Sequence, residues 1–278
     1  MPKEFVGTWE EKWARMIKWM RALPIMFRLI RIPLVGRLLF RDSFVGDPTA
    51  RNWVIPVHEE LPALTSVHLP FNVLQPMIEM AAVRARAAKC ICRSSFGCEV
   101  YPEDVGCLFL GSAFKSAEIT GEGFIKLLTV EEALAHAHHA VEIGLVPTIV
   151  WDNDTEMCGG SRNTGIAVCF CCDCCCDIRL GLKLGGEGFR KKVSRIEGVD
   201  VVVQPECNLC GACTDPGVCP SKAIRLGKVQ AEIDLERCVG CGQCIPVCPS
   251  NAISFSIDKS VDVVGRLIDQ VKEVTDIT

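Results

Sequence analysis

Apolar positions recur at helical spacing in several stretches of the chain. Trp9, Trp13, Met16, Ile17 and Met20 share one face, and Pro24 and Pro33 break the pattern, which predicts two or three short helices before residue 42. A second helical pattern runs from Asn72, its expected cap, through Gln75, Pro76 and Met80 to Ala88. A third begins at a capping-box pair, Thr129 and Glu132, and stops at Gly144. The last, residues 260–275, carries an apolar face of Val264, Leu267, Ile268, Val271 and Val274 and is expected to fold back on the body. Strand patterns are shorter: residues 145–151 read as a buried strand, and four more are expected near 200–203, 224–226, 229–233 and 253–257. Residues 42–70 read as irregular, with prolines at 48, 56, 62 and 70, and the glycine- and charge-rich residues 181–198 read as a linker.

Charge sharpens the first of these stretches. From Lys12 to Arg41 there are eight basic residues and no acidic one, although the 278-residue chain as a whole has a formal net charge of -4. The first 41 residues therefore form a basic amphipathic arm on an acidic body. Three readings of the arm stand open: attachment to a membrane surface, docking on a partner protein, or packing on the protein's own core. No stretch reaches the roughly 18 uncharged apolar residues of a spanning helix. The first apolar stretch is broken by arginines and lacks a small-residue cleavage site, so no signal peptide is expected. Nothing in the overall charge points to nucleic acid.

Cysteine changes the picture most. There are 19, several of them adjacent, and neighbouring cysteines rarely reach disulfide geometry with each other. Reduced thiolates kept for metal fit better, in a reducing compartment. One internal repeat stands out: residues 207–224 read CNLCGACTDPGVCPSKAI and residues 238–253 read CVGCGQCIPVCPSNAI. Each copy has three cysteines at two-residue gaps, then Cys-Pro, then a polar pair and Ala-Ile. A four-iron cluster needs four thiolates at tetrahedral corners; a C-x2-C-x2-C loop wraps three and leaves the fourth to another segment. Gly211, Gly240 and Gly242 supply the positive φ such loops use. Zinc also binds C-x2-C pairs, but its sites rarely combine the triple spacing with Cys-Pro, twice over.

The repeat resembles the bacterial two-cluster ferredoxin over about 60 residues, roughly 199–258. The second copy fits C-x2-C-x2-C-x3-C-P unchanged; the first has five residues in place of three before Cys219. The resemblance implies two [4Fe-4S] clusters with crossed ligation: Cys207, Cys210, Cys213 and Cys248 on one, Cys238, Cys241, Cys244 and Cys219 on the other. Pro220 and Pro249 would shape the turns after the crossing ligands, and folding would depend on metal.

Eleven further cysteines lie upstream, at 90, 92, 98, 107, 158, 169, 171, 172, 174, 175 and 176. The segments CICRSSFGCEVYPEDVGCLFLG and CFCCDCCC are similar to a cysteine-rich domain found fused to two-cluster ferredoxins in strict anaerobes. If the 169–176 run is partly helical, Cys171 and Cys174 share a face, as do Cys172, Cys175 and Cys176. With Cys90, Cys92, Cys98 and Cys107 they would make one or two additional iron–sulfur sites. Buried free thiols are the alternative for any one of them. Arg93 and Arg179 flank the two groups, tuning a cluster's charge or lying at the surface. His136, His138 and His139 are read as solvated helix residues rather than ligands.

The expected fold is α+β: a ferredoxin-type module with pseudo-twofold symmetry at 196–258, preceded by a mostly helical, loop-rich, cysteine-rich domain at 42–195 and followed by a C-terminal helix at 259–278. The expected function is an iron–sulfur electron-transfer protein or subunit, working with a redox partner or a membrane-associated oxidoreductase complex, in the cytoplasm or peripherally on the inner face of the membrane. The alternative is an iron–sulfur reductase whose cysteine-rich domain holds a catalytic cluster fed by the module. No G-x-G-x-x-G and no P-loop marks a nucleotide site. A redox sensor or soft-metal store is a third class, with no DNA-binding element to support a transcriptional role.

Overall fold

The computed structural model describes residues 18, 22–32, 35, 49–55, 69–84, 87–90, 105–112, 125–151, 161, 163–171 and 176–277. Its larger part is organised by a sheet. Seven strands stand in the order β4-β2-β3-β6-β5-β1-β7. They are β1 (Arg51–Val54), β2 (Ala87–Cys90), β3 (Leu108–Gly111), β4 (Ile125–Leu128), β5 (Val146–Trp151), β6 (Gly165–Cys171) and β7 (Val193–Arg195). Neighbours are antiparallel except β1 and β7.

The expectation of a mostly helical domain is thereby corrected: helices dress a sheet. Most of its strands have only three or four residues, too short for alternation to show in the sequence. The segment 42–70 contains β1, and the second helix, α2 (Leu69–Arg84), starts and ends earlier than its pattern, with Asn72 inside it and β2 in place of its last turn. Residues 22–29 form helix α1. Helix α3 (Val130–Glu142) carries the predicted capping box: Thr129 Oγ1 accepts from Glu132 N at 3.2 Å and Glu132 Oε2 accepts from Thr129 N at 2.8 Å.

Strand alternation sorts the sheet into two faces. Leu108, Leu110, Ile149, Ile166, Val168 and Phe170 lie on one, all buried, and α2 and α3 cover it with Val73, Leu74, Met77, Ile78, Ala133 and Ala137. The opposite face carries Cys107, Cys169, Thr148, Val146 and Val54. Helix α4 (Asp177–Leu184) meets that face through Ile178, Arg179 and Leu182.

The stretch read as a linker is ordered structure: α4, then α5 (Gly186–Arg190), then β7. Gly181 and Gly185 serve close packing, because a Cβ on either would fall 2.2 or 2.7 Å from the Phe189 side chain. Phe189 is buried and meets Phe27 of α1 edge-on, with centroids 5.1 Å apart. The described part of the basic arm thus packs on the body, burying Leu23 and Phe27 and leaving Ile25 and Ile32 exposed. Helix α6 (Val263–Val274) packs on α2 with Val263, Leu267 and Val271 buried, as its pattern predicted. Asp262 caps it, accepting from Gly265 N at 3.0 Å.

The remaining residues form two small ladders, β8 (Val199–Val203) with β11 (Ile253–Ile257) and β9 (Ile224–Leu226) with β10 (Ala231–Ile233), at the positions expected from the sequence. The chain is a mixture of helix and sheet, as α+β requires.

Candidate iron–sulfur site

The two cysteine loops begin as tight turns because the backbone takes left-handed values at matching places. Gly211 (φ 82°) and Gly242 (φ 78°) follow the second cysteine of each copy, and Leu209 (φ 58°) and Gly240 (φ 71°) precede it. After the Cys-Pro pairs, Lys222 (φ 54°) and Asn251 (φ 50°) match in the same way. Leu209 is the residue the sequence did not flag: a branched side chain stands where the other copy has glycine. Asn208 Oδ1 accepts from Cys210 N at 3.2 Å and helps hold that turn.

The thiols gather in two sets of four. Burial pushes the Cys213 thiol up; its own amide partly offsets this, and the sulfurs of Cys207, Cys210 and Cys248 add to the rise. In the second set burial raises Cys238, pushes Cys241 up to about 12 and raises Cys244, and Cys219 is an electrostatic neighbour of all three. Cys248 is thus an electrostatic neighbour of the first loop's Cys213, and Cys219 of the second loop's three thiols. Cys248 differs in sign. Burial pushes it up, but the Ser250 hydroxyl and the amides of Ala252, Ser250 and Ile253 outweigh burial and lower it.

Backbone donors point at three of the sulfurs. Ala231 N donates to Cys207 Sγ, Ala223 N to Cys219 Sγ and Ala252 N to Cys248 Sγ, each at 3.3 Å. Ser221 and Ser250 hydroxyls stand 3.7 and 3.6 Å from Cys219 and Cys248 in matching positions. A buried thiolate with no cation beside it is costly, which is why burial raises these groups, and a metal that ligates the sulfur removes that cost. The donor set fits a thiolate-bound cluster. Among the described residues no three cysteine, histidine or carboxylate side chains gather closely enough for a single metal ion.

The sets share a small core of Val201, Ile224, Ala231, Ala252 and Ile253, but one of them also reaches the sheet. Val239 is buried in the large core and Cys241 packs against it. Arg179 is buried, which removes the surface reading: it donates to Gln243 Oε1 and to the Gly217 carbonyl. Gly217 belongs to the longer first-copy loop, where Asp215 Oδ1 accepts from Gly217 N at 2.6 Å. The two extra residues of that copy thus build the turn that α4 grips. Arg195 pairs with Asp200 at 2.8 Å and lies near Cys238.

The upstream cysteines are only partly described. Cys92, Cys98, Cys158, Cys172, Cys174, Cys175 and Arg93 lie outside the described residues. Cys176 is buried at the head of α4. Cys171 ends strand β6, so it is extended and not helical, and its expected helical pairing with Cys174 is corrected; the grouping of Cys172, Cys175 and Cys176 rests on Cys172 and Cys175, outside the described residues. Cys107 and Cys169 lie side by side, Sγ to Sγ 3.3 Å. His136 is buried, 2.8 Å from the Gly106 carbonyl and edge-on to Phe170, against the expectation of a solvated residue; His138 is exposed.

Residues 231–254 match the family model of the 4Fe-4S binding domain. Over 64 residues, 22% of this chain and 24% of the relative, the sequence is 42% identical to a component of the ion-translocating oxidoreductase complex of Methanosarcina acetivorans. It is 31% identical over 71 residues to the electron transport protein HydN of Escherichia coli, 26% of this chain and 41% of the relative. A protein of Archaeoglobus profundus that is itself similar to a heterodisulfide reductase component is 30% identical over 97 residues, 28% of this chain and 14% of the relative. The chain spans less than half the length of each of these relatives. No solved structure matches it. Its C-terminal third carries a ferredoxin-type 4Fe-4S binding domain.

Proposed function

We propose that this chain is an iron–sulfur electron-transfer subunit whose C-terminal module holds two [4Fe-4S] clusters, with Cys207, Cys210, Cys213 and Cys248 on the first and Cys238, Cys241, Cys244 and Cys219 on the second. The observation that carries the reading is the crossed grouping of the thiols. The matching N–H donors to Cys219 and Cys248 support it, as do the matching left-handed residues, which give the module its pseudo-twofold character. The triple C-x2-C-x2-C spacing followed by Cys-Pro, present twice, favours a four-iron cluster over zinc. Each cluster, when bound, takes up and releases one electron. The chain's own part is to hold the sulfurs, donate hydrogen bonds to them and exclude water on the sheet side.

Double variants test the crossing. C210S with C248S strikes one cluster under this assignment and should cost about four irons; C241S with C248S strikes both and should cost about eight. Equal losses in the two variants would refute it, and zinc in place of iron would refute the cluster reading altogether.

The partner is a redox protein of an oxidoreductase complex, in keeping with the names of the relatives. Among the described residues no helix is long and apolar enough to cross a membrane. Peripheral attachment would rest on the basic arm, where Arg28 and Arg31 are exposed beside Ile25 and Ile32. Deleting the arm would strip Leu23 and Phe27 from the core, so R28E with R31E is the cleaner probe. Sedimentation with anionic vesicles should fall in that variant if the arm binds a membrane surface.

A further inference from the structure

The sheet register brings upstream cysteines together in a way their spacing in the chain hides. In β3 and β6, Leu108 pairs with Val168, so one step further Cys107 stands opposite Cys169, and their sulfurs are 3.3 Å apart. In β2 and β3, Lys89 pairs with Leu108, so the next step sets Cys90 at the register position beside Cys107. Cys169 in turn pairs with Thr148, and Cys171 with Val146, on β5. Cys90, Cys107 and Cys169 therefore occupy one register row across three adjacent strands, and Cys171 stands two residues along β6 from Cys169.

The sheet face of Cys107 and Cys169 is the one the second cysteine set approaches. Val54, Val146 and Thr148 of the sheet, Arg179 of α4, and Val239 and Cys241 of the module line one narrow gap of about 20 Å³. It has room for about one water molecule. Thr148 lines this gap and is also the cross-strand neighbour of Cys169, so Cys169 is one strand, about 5 Å, from a residue that lines the same gap as Cys241. The row runs outward from there to Cys107 and Cys90.

We infer that this face of the sheet holds a third iron centre, ligated by Cys107 and Cys169 and completed from the register neighbours Cys90 and Cys171, next in line to the second ferredoxin cluster. The inference rests on the iron–sulfur reading of the module. Both thiols are half-buried, and neither is in a disulfide. At 3.3 Å they are far from the roughly 2.05 Å of an S–S bond. They need open by only about 0.5 Å to share one tetrahedral metal atom. Isolated thiols pack as small hydrophobes; two thiols in contact, with two more cysteines at neighbouring register positions, make a ligand set. Iron is the soft metal that suits it, because the module it faces is a one-electron carrier, and zinc has no redox chemistry.

The test uses the full chain, purified anaerobically and reconstituted with iron and sulfide. The expected count exceeds the roughly eight irons of two cubane clusters. C107S with C169S should lose only the excess, one to four irons, and keep both ferredoxin EPR signals. In the unaltered protein the two thiols should resist alkylation until iron is chelated, a readout that needs no variant. A count of eight, alkylation of Cys107 and Cys169 with iron still bound, zinc in the extra site, or a Cys107–Cys169 disulfide in the anaerobic protein would each overturn the third centre and leave the ferredoxin reading intact. A count near zero would overturn both.

Discussion

The two four-cysteine sets come from one repeated motif and meet opposite surroundings. In the first, Asn208 and Cys210 are exposed, Leu209 and Gly211 half-buried, and Pro249 exposed. Their counterparts in the second are Val239, Cys241, Gly240, Gly242 and Pro220, all buried but the half-buried Cys241, which lines the gap against the sheet domain. The β9–β10 hairpin beside the first set leaves Leu226 and Val229 exposed, the latter by 82%. The second set instead has Arg179 and Arg195 beside its sulfurs. Equal ligands in unequal environments do not have equal potentials, since hydrogen bonds, charge and solvent exposure set them. Under the proposed assignment the solvent-facing set is the one a partner protein would reach, and the buried set the one that abuts the sheet domain.

The strongest way to break this asymmetry is to remove Arg179. Its loss would leave Gln243 Oε1 and the Gly217 carbonyl without their buried donor. A destabilisation of about 3 kcal/mol is expected for R179A, read from loss of cluster absorbance in denaturant. A positive charge near Cys241 favours the reduced, more negative cluster, so the second potential should fall while the first stays in place. R179K should retain part of both effects. An EPR-monitored redox titration showing both potentials moving together, or neither, would contradict the division of the sets.

Glycine substitutions give the next largest contrast. A Cβ on Gly240 would lie 2.9 Å from Arg195 Cβ, on a residue already at φ 71°. On Gly211 the nearest atom it would meet is in the Leu226 side chain, at an ordinary 3.7 Å. G240A should cost about 2–3 kcal/mol, combining left-handed strain with a displaced neighbour, and G211A about 1 kcal/mol from strain alone. If the two cost the same, the contact of the second loop with β7 is not what distinguishes them.

Legibility in the sequence followed the same division. The strands of the ferredoxin-type region were legible, because they are short local patterns next to turn signals; β8, β9, β10 and β11 fall where the pattern put them. The capping box of Thr129 and Glu132 and the apolar face of the last helix are local too. The sheet was hidden because its order, β4-β2-β3-β6-β5-β1-β7, joins segments far apart in the chain. The neighbourhood of Cys107 and Cys169, 62 residues apart, is a matter of register that no spacing rule reports. Gly181 and Gly185 misled for a related reason: glycine marks flexibility in a linker and close approach in a packed helix, and only Phe189 decides which.

Leu209 gives the smallest expected effect and the finest test of how the copies diverged. It occupies a left-handed position, φ 58°, where the second copy has Gly240. Left-handed strain costs a non-glycine residue roughly 1–2 kcal/mol, so L209G should relieve it. Glycine also loses more freedom on folding, by about 0.5–1 kcal/mol, which takes back most of the gain. A net change within about 0.5 kcal/mol is expected, with no iron lost. Destabilisation well beyond that would mean the half-buried Leu209 side chain shields the first set from water. The solvent-facing cluster would then be less open than Cys210 makes it, and the contrast between the two sets would narrow.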